Sequence, residues 1–193
     1  MAKPPLQAAA TTKTAGEKRF EAYYAQQKLP EFAKLLEALR RPLPITFRIF
    51  DAPRDGTAAR LAAEAVKLGA TRLPADNAWT FAGAARRELR AQGDKTRDGA
   101  LRDFLVRGDR FRCLRRQEEV SMVPPRVLDV RPGHRVLDMC ASPGSKTQQL
   151  IEGIAPPVVD AAAAASGFVI ANDAEYRRCH LLTHQCKRLH SPA

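Results

Sequence analysis

Apolar positions along the chain change period several times, and each change marks an element. In residues 17–27, Phe20, Tyr23 and Tyr24 fall on one side of a helical wheel. Pro30 suits the start of a second helix, in which Phe32, Leu35, Leu36 and Leu39 recur at helical spacing before Pro42 and Pro44 end it. Residues 45–50 are rich in β-branched and aromatic residues, with alternating character, and predict a short strand. Residues 55–68 predict a helix with Leu61, Ala62, Ala65, Val66 and Leu68 as its buried stripe and Gly69 as its cap. Residues 71–85 have no clear period, although Trp79 and Phe81 are expected to pack locally. A polar break at 93–99 precedes a short helix at 100–106, anchored by Leu101, Phe104 and Leu105. In residues 114–130, Val120, Val123, Val127 and Leu128 are spaced as a buried helical face. Pro124 and Pro125 are expected to kink or restart that helix.

Beyond the turn signal Arg131-Pro132-Gly133 the pattern becomes specific. Residues 135–139 are apolar in the middle, as expected of a strand covered on both faces by helices. Cys140-Ala141-Ser142-Pro143-Gly144 is a turn of small side chains, which lets a ligand approach the backbone. Residues 145–152 then predict a helix whose first N–H groups face the turn. Lys146 lies in its first turn, where a cation opposes the helix dipole, so it is expected to point at a carboxylate or phosphate. Residues 168–171 predict a second buried strand, closed by Asp173, an acid placed to accept from both hydroxyls of a ribose. Strand, turn, helix, strand and acid together predict a nucleotide-like ligand at the strand ends of an α/β sheet.

Composition adds the partner. The formal net charge is +11, from 32 Lys and Arg against 21 Asp and Glu, and it favours an anionic partner, nucleic acid first. Residues 86–135 hold fourteen Lys or Arg interleaved with eight acids, so an RNA-facing surface competes with an ordinary mixed-charge one. Phe20, Tyr23 and Tyr24 suit base stacking, though core packing is the stronger expectation. The four cysteines, 113, 140, 179 and 186, form no Cys-x-x-Cys pair, which argues against a zinc ribbon or disulfide framework and for a reducing compartment. Cys179, His180, His184 and Cys186 cluster, but a packed helix explains them better than a metal site. No apolar run approaches a membrane span, and the N-terminus lacks the pattern of a secretory signal.

Two common nucleotide loops fail on spelling. A phosphate loop of the Gly-x-x-x-x-Gly-Lys type would need glycines at Cys140 and Ser145. A dinucleotide fingerprint needs three glycines, and this turn has one. ATP and NAD are therefore poor candidates.

The stretch Asp138-Met139-Cys140-Ala141-Ser142-Pro143-Gly144-Ser145-Lys146-Thr147 closely resembles the D-x-C-A-x-P-G-x-K-T signature of the Sun family of RNA cytosine-5 methyltransferases, particularly its eukaryotic transfer-RNA branch. Residues 116–125 (R-Q-E-E-V-S-M-V-P-P), 171–178 (A-N-D then Arg178) and 184–189 (H-Q-C-K-R-L) resemble the same branch, as do 43–49 and 72–79. The resemblance implies S-adenosylmethionine as cofactor, with Cys140, Ala141, Ser142, Pro143, Gly144, Ser145 and Lys146 around its methionine and ribose parts. It implies that Asp173 holds the ribose hydroxyls. Ser142 stands where the family more often has Ala. The resemblance further implies an RNA partner, transfer RNA first, and residence in the nucleus, nucleolus or cytoplasm. A monomer is expected.

The family's chemistry uses a cysteine in a Pro-Cys motif, which attacks C6 of cytosine, and a second in a Thr-Cys motif, which assists product release. This chain has neither dipeptide, so no catalytic residue is assigned. The expected fold class is α/β: the start of a Rossmann-like S-adenosylmethionine-dependent methyltransferase domain with a truncated sheet, preceded by a small N-terminal α/β domain. The expected divisions are a disordered tail at 1–16, an N-terminal domain with possible RNA contact at 17–112, and an incomplete methyltransferase domain at 113–193. Such a sheet would leave Val136, Leu137, Val169 and Ile170 underpacked. The expected function is that of the N-terminal part of an RNA cytosine-5 methyltransferase, inactive alone. The alternatives are a catalytically dead RNA-binding or regulatory protein, and a different methyltransferase completed by a partner chain.

Overall fold

A computed structural model describes residues 13–50, 55–74, 77–85, 97–154, 167–187 and 189. The chain divides into two compact units, Met1–Pro42 and Leu43–Ala193. The first holds helices α1 (Ala15–Gln26) and α2 (Phe32–Arg40). The start of α1 is fixed by a capping box. Thr14 Oγ1 accepts from the Glu17 N–H at 3.2 Å, and the Glu17 carboxylate accepts from the Thr14 N–H at 2.7 Å. The helix thus starts inside residues 1–16, the segment expected to be a disordered tail; residues 1–12 lie outside the described residues. Arg40 reaches Glu21 at 2.5 Å and ties α2 to α1. Neither helix buries a residue. Phe20 and Tyr24 stack on one another, as do Tyr23 and Tyr24, so these aromatics pack locally without forming the expected core.

The second unit contains two sheets. In the first, strands β1 (Pro44–Ile49), β2 (Ala70–Arg72), β3 (Ala78–Ala85) and β4 (Leu114–Arg116) run antiparallel in the order β2-β3-β1-β4. Helices α3 (Thr57–Lys67) and α4 (Arg97–Arg110) contribute to its core. The alternation of β1 sends Ile45, Phe47 and Ile49 into that core. There Phe47, Phe81 and Phe104 pack as a triad with ring centroids 5.2–6.0 Å apart. Burial of each such ring stabilises the unit by about 1.5–3 kcal/mol. Thr46 and Arg48 point to the opposite face and are also buried, each with polar partners. Strand β4 lies beyond residue 112, so the first sheet runs on past the division expected there.

The second sheet pairs β5 (Arg135–Asp138) with β6 (Phe168–Ala171) in parallel, Val136 opposite Val169 and Leu137 opposite Ile170. Helix α6 (Ser145–Ile154) follows β5, and Leu150 and Ile154 pack with Val136 and Val169. Helix α7 (Tyr176–Lys187) follows β6. Only one face of this pair is covered among the described residues. Val136 is buried, whereas Leu137 is 58% and Ile170 54% exposed. This corrects the expectation of a strand covered on both faces, because one helix packs on one side of a two-stranded sheet. The expected underpacking falls on Leu137 and Ile170, not on Val136 and Val169.

Helix α5 (Glu119–Val127) also corrects the sequence reading. Val120 and Val127 are 74% and 79% exposed, and Val123 and Leu128 are exposed as well; Met122 and Pro125 are the buried residues. Two stripes at helical spacing compete on this short helix. The one that docks includes Met122, whose carbonyl accepts from Gln149 of α6 at 3.1 Å. Both prolines lie within α5, which continues through them to Val127.

Candidate cofactor site

The site is the loop at the carboxyl ends of β5 and β6. Backbone bonds carry the parallel pairing into the turn: the Asn172 N–H donates to the Asp138 carbonyl at 2.9 Å, and the Ala141 N–H to the Asn172 carbonyl at 2.8 Å. The Asn172 side chain donates to the Met139 carbonyl at 3.1 Å. Asp138 accepts from Thr147 Oγ1 at 2.7 Å, so the last residue of β5 is bonded to the first turn of α6. The inner turn residues Ala141, Ser142 and Gly144 are buried, while Met139, Cys140 and Pro143 are exposed. The Ser142–Pro143 bond is cis. Gly144 has φ +108°, a left-sided backbone conformation that suits glycine. A Cβ there would also stand 3.2 Å from Leu182 of α7.

Asp173 is built into the turn. Its side chain is 4% exposed. One oxygen accepts from the Ser142 N–H at 3.1 Å, the other from the Glu175 N–H at 3.1 Å. Arg178 approaches the same carboxylate at 3.6 Å and donates to the Ser142 carbonyl at 2.8 Å. Ser142 Oγ in turn donates to the Arg178 carbonyl at 2.9 Å. Of the residues singled out in the sequence, Ser142 and Asp173 are thus in direct contact, and Cys140, Ala141, Pro143, Gly144 and Ser145 complete the loop between β5 and α6. Lys146 is exposed and donates to Ser121 Oγ of α5 at 2.7 Å. Its partner in this structure is therefore a hydroxyl, where an anion was expected.

The sequence reading did not single out Asp138, Thr147, Asn172 and Arg178, whose side chains bond across the loop. Asp138 and Thr147 stand at the two ends of the ten-residue signature, and Asn172 and Arg178 within the 171–178 run. Their presence was legible, but their bonds across the loop were not. Beside the turn lies a cleft of about 180 Å³ lined by Arg115, Arg116, Pro143, Ser145, Gln148 and Gln185. That is small against the ~300–1,000 Å³ of ordinary ligand pockets.

Cys186 of α7 is half-buried, and burial, with the nearby Asp138 carboxylate second, raises its thiol above the ordinary value of 9.0. No group of three or more metal-ligating side chains converges among the described residues. Among these same residues, no helix is long and apolar enough to cross a membrane.

No family model matches the chain. It is 38% identical over 202 residues to the multisite-specific tRNA:(cytosine-C(5))-methyltransferase trm4b of Schizosaccharomyces pombe, an alignment covering 91% of this chain and 30% of that protein. It is 38% identical over 199 residues to the tRNA (cytosine(34)-C(5))-methyltransferase of Drosophila melanogaster, covering 90% of this chain and 26% of that protein. The chain belongs to the Sun family of RNA cytosine-5 methyltransferases. It spans less than a third of the length of these two relatives. The fold agrees: a solved methyltransferase homolog protein from Pyrococcus horikoshii superposes with a TM-score of 0.54 at 26% identity, over 80% of this chain and 43% of that one. Within the Sun family's α/β architecture, the described parallel pair is the start of a Rossmann-like sheet, as the sequence predicts.

Proposed function

We propose that this chain carries the cofactor-binding half of an S-adenosylmethionine-dependent RNA cytosine-5 methyltransferase acting on transfer RNA. One observation carries the proposal: a small-residue turn at the end of β5, braced by an acid at the end of β6, opens onto the N-terminus of α6. The donor set fits the cofactor. The first-turn N–H groups of α6 suit the carboxylate of its methionine part. Asp173 has carboxylate lone pairs beyond its two backbone bonds for a ribose hydroxyl. Exposed Met139 and Cys140 leave the space over the strand ends open. When bound, the cofactor supplies an electrophilic methyl group, and the residues of this chain bind and orient it.

The substrate follows from charge and kinship. The relatives are named as transfer-RNA cytosine methyltransferases, and the net charge of +11 suits a polyanion. Among the basic residues of 97–135, Arg107, Arg115 and Arg131 form ion pairs with Glu64, Asp109 and Asp129, so part of that charge is neutralised locally. Exposed Arg110, Arg112, Arg116 and Arg126 are the better phosphate contacts.

Without a Pro-Cys or Thr-Cys dipeptide, the chain has none of the cysteines that would attack cytosine and release product, and it transfers no methyl group alone. Calorimetric titration of the 193-residue protein with S-adenosylmethionine, followed by incubation with transfer RNA and labelled cofactor, tests both statements. Cofactor binding without label on cytosine is expected. Labelled cytosine would refute the inactivity. Salt-sensitive RNA binding with no cofactor binding would favour a catalytically dead RNA-binding protein instead.

A further inference from the structure

Three side chains of α6 repeat at three-residue spacing, Lys146, Gln149 and Glu152, and each has a polar partner outside the helix. Lys146 donates to Ser121 Oγ. Gln149 accepts from Gln117 Nε2 at 3.0 Å and donates to the Met122 carbonyl at 3.1 Å. The carboxylate of Glu152 takes both terminal nitrogens of Arg48, one of them at 3.2 Å. Residues three apart lie on one helical face, so these contacts form a single polar seam along α6.

Arg48 is the anchor of that seam. It stands on β1 of the antiparallel sheet, with a side chain only 4% exposed. Its Nε donates to Gln117 Oε1 at 2.7 Å, and its two terminal nitrogens grip Glu152. Gln117 passes the connection on through its bonds to Gln149 and to the Ser121 carbonyl, both at 3.0 Å. The planar fork of an arginine holds two acceptors in fixed directions, which a lysine cannot do. Two apolar side chains of α6, Leu150 and Ile154, face the parallel sheet. Apolar packing is non-directional and fixes a helix's azimuth and axial position weakly, whereas a forked, buried ion pair fixes both.

We infer that Arg48 is a positioning residue for the cofactor turn: it sets the placement of α6, and with it the turn that leads into the first residue of that helix. The inference rests on the proposed cofactor site. It makes the antiparallel sheet part of that site's geometry.

The test separates position from stability. Replacing both members of a buried ion pair by apolar side chains of similar volume is often neutral for stability. The paired variant Arg48→Met/Glu152→Met is therefore compared with wild type by thermal unfolding and by amide hydrogen exchange. Its melting temperature is expected within about 4 °C of wild type. Exchange at Ser142 and Gln148, whose N–H groups bond to Asp173 and the Gly144 carbonyl, is expected to rise about tenfold through local opening. Exchange at Phe50, bonded to the Cys113 carbonyl in the first sheet, is expected to stay unchanged.

Glu152→Gln is the second variant, in case the paired one does not fold. It keeps the shape and one acceptor for the two Arg48 nitrogens but loses the charge and the second acceptor, and it should give a smaller rise at the same two amides. Wild-type exchange at Ser142 and Gln148 in the folded paired variant, or in Glu152→Gln if the paired one does not fold, overturns the inference. S-adenosylmethionine titrated into the same proteins keeps the two proposals apart. If wild type binds none, the cofactor reading falls while the exchange result still decides the role of Arg48. If the folded paired variant binds with wild-type affinity, the positioning role falls alone.

Discussion

The carboxylate of Asp173 accepts a hydrogen bond from the backbone N–H of Ser142 at 3.1 Å, across 31 residues of chain. The acid that ends β6 therefore holds the turn that ends β5. Asp173→Asn removes the charge and puts an amide donor at one of two sites that both face N–H groups. A loss of about 1–3 kcal/mol is expected, the cost of a buried donor left without its acceptor. Urea unfolding measures it. Cofactor titration should show weaker binding in the same variant, and equal affinity at reduced stability would confine Asp173 to bracing.

Gly144 is the position in the turn least able to take a side chain. Its φ of +108° and the 3.2 Å that would separate an added Cβ from Leu182 act together against Gly144→Ala. About 1–3 kcal/mol of backbone strain is expected. The check is a thermal melt of Gly144→Ala beside Ser145→Ala, whose lower cost shows that the strain belongs to the backbone of residue 144.

The two faces of the parallel pair should respond differently to truncation. Leu150 is buried against Val136, and Leu150→Ala is expected to cost about 2–5 kcal/mol. Leu137 lies on the uncovered face, and Leu137→Thr is expected within about 0.5 kcal/mol of wild type. Chemical denaturation of both variants decides. A large loss at Leu137 would mean that the face is covered in solution.

Cys186 should make stability fall at high pH. Burial raises its thiol above 9.0, so the folded state keeps a proton that the unfolded state releases. The contribution is fully present below pH 9.0 and is lost as pH rises from there through the higher folded value. Cys186→Ala should flatten that fall, as followed by unfolding between neutral pH and about pH 10. In native protein, exposed Cys140 should alkylate before Cys186 and buried Cys113, an order that mass spectrometry reads directly.

What was legible in the sequence was local. The strand–turn–helix at the site follows from small residues, one glycine and an acid at fixed offsets, and those offsets survive folding unchanged. Most of the α3 stripe was equally plain: Leu61 and Ala65 are buried and Ala62 and Leu68 pack against the core, but Val66, expected in the same stripe, is 57% exposed. Strands β2 and β3 were harder to read because A-W-T-F-A-G-A-A mixes small and aromatic residues without alternation. The buried face of α5 was misread because its valines form a real stripe on the side that does not dock. Arg48 gave no signal at all: its partner Glu152 is 104 residues away, and a lone arginine in a strand reads as solvent-facing.

The three-residue rhythm of Lys146, Gln149 and Glu152 also limits how this segment can change in length. One residue inserted between Lys146 and Glu152 would swing everything beyond it by about 100° around the helix axis. Glu152 would then leave Arg48, and the apolar residues of α6 would turn away from Val136. Length variation is therefore far costlier inside α6 than the same variation in a surface loop, and the helix behaves as a ruler between its two sheets.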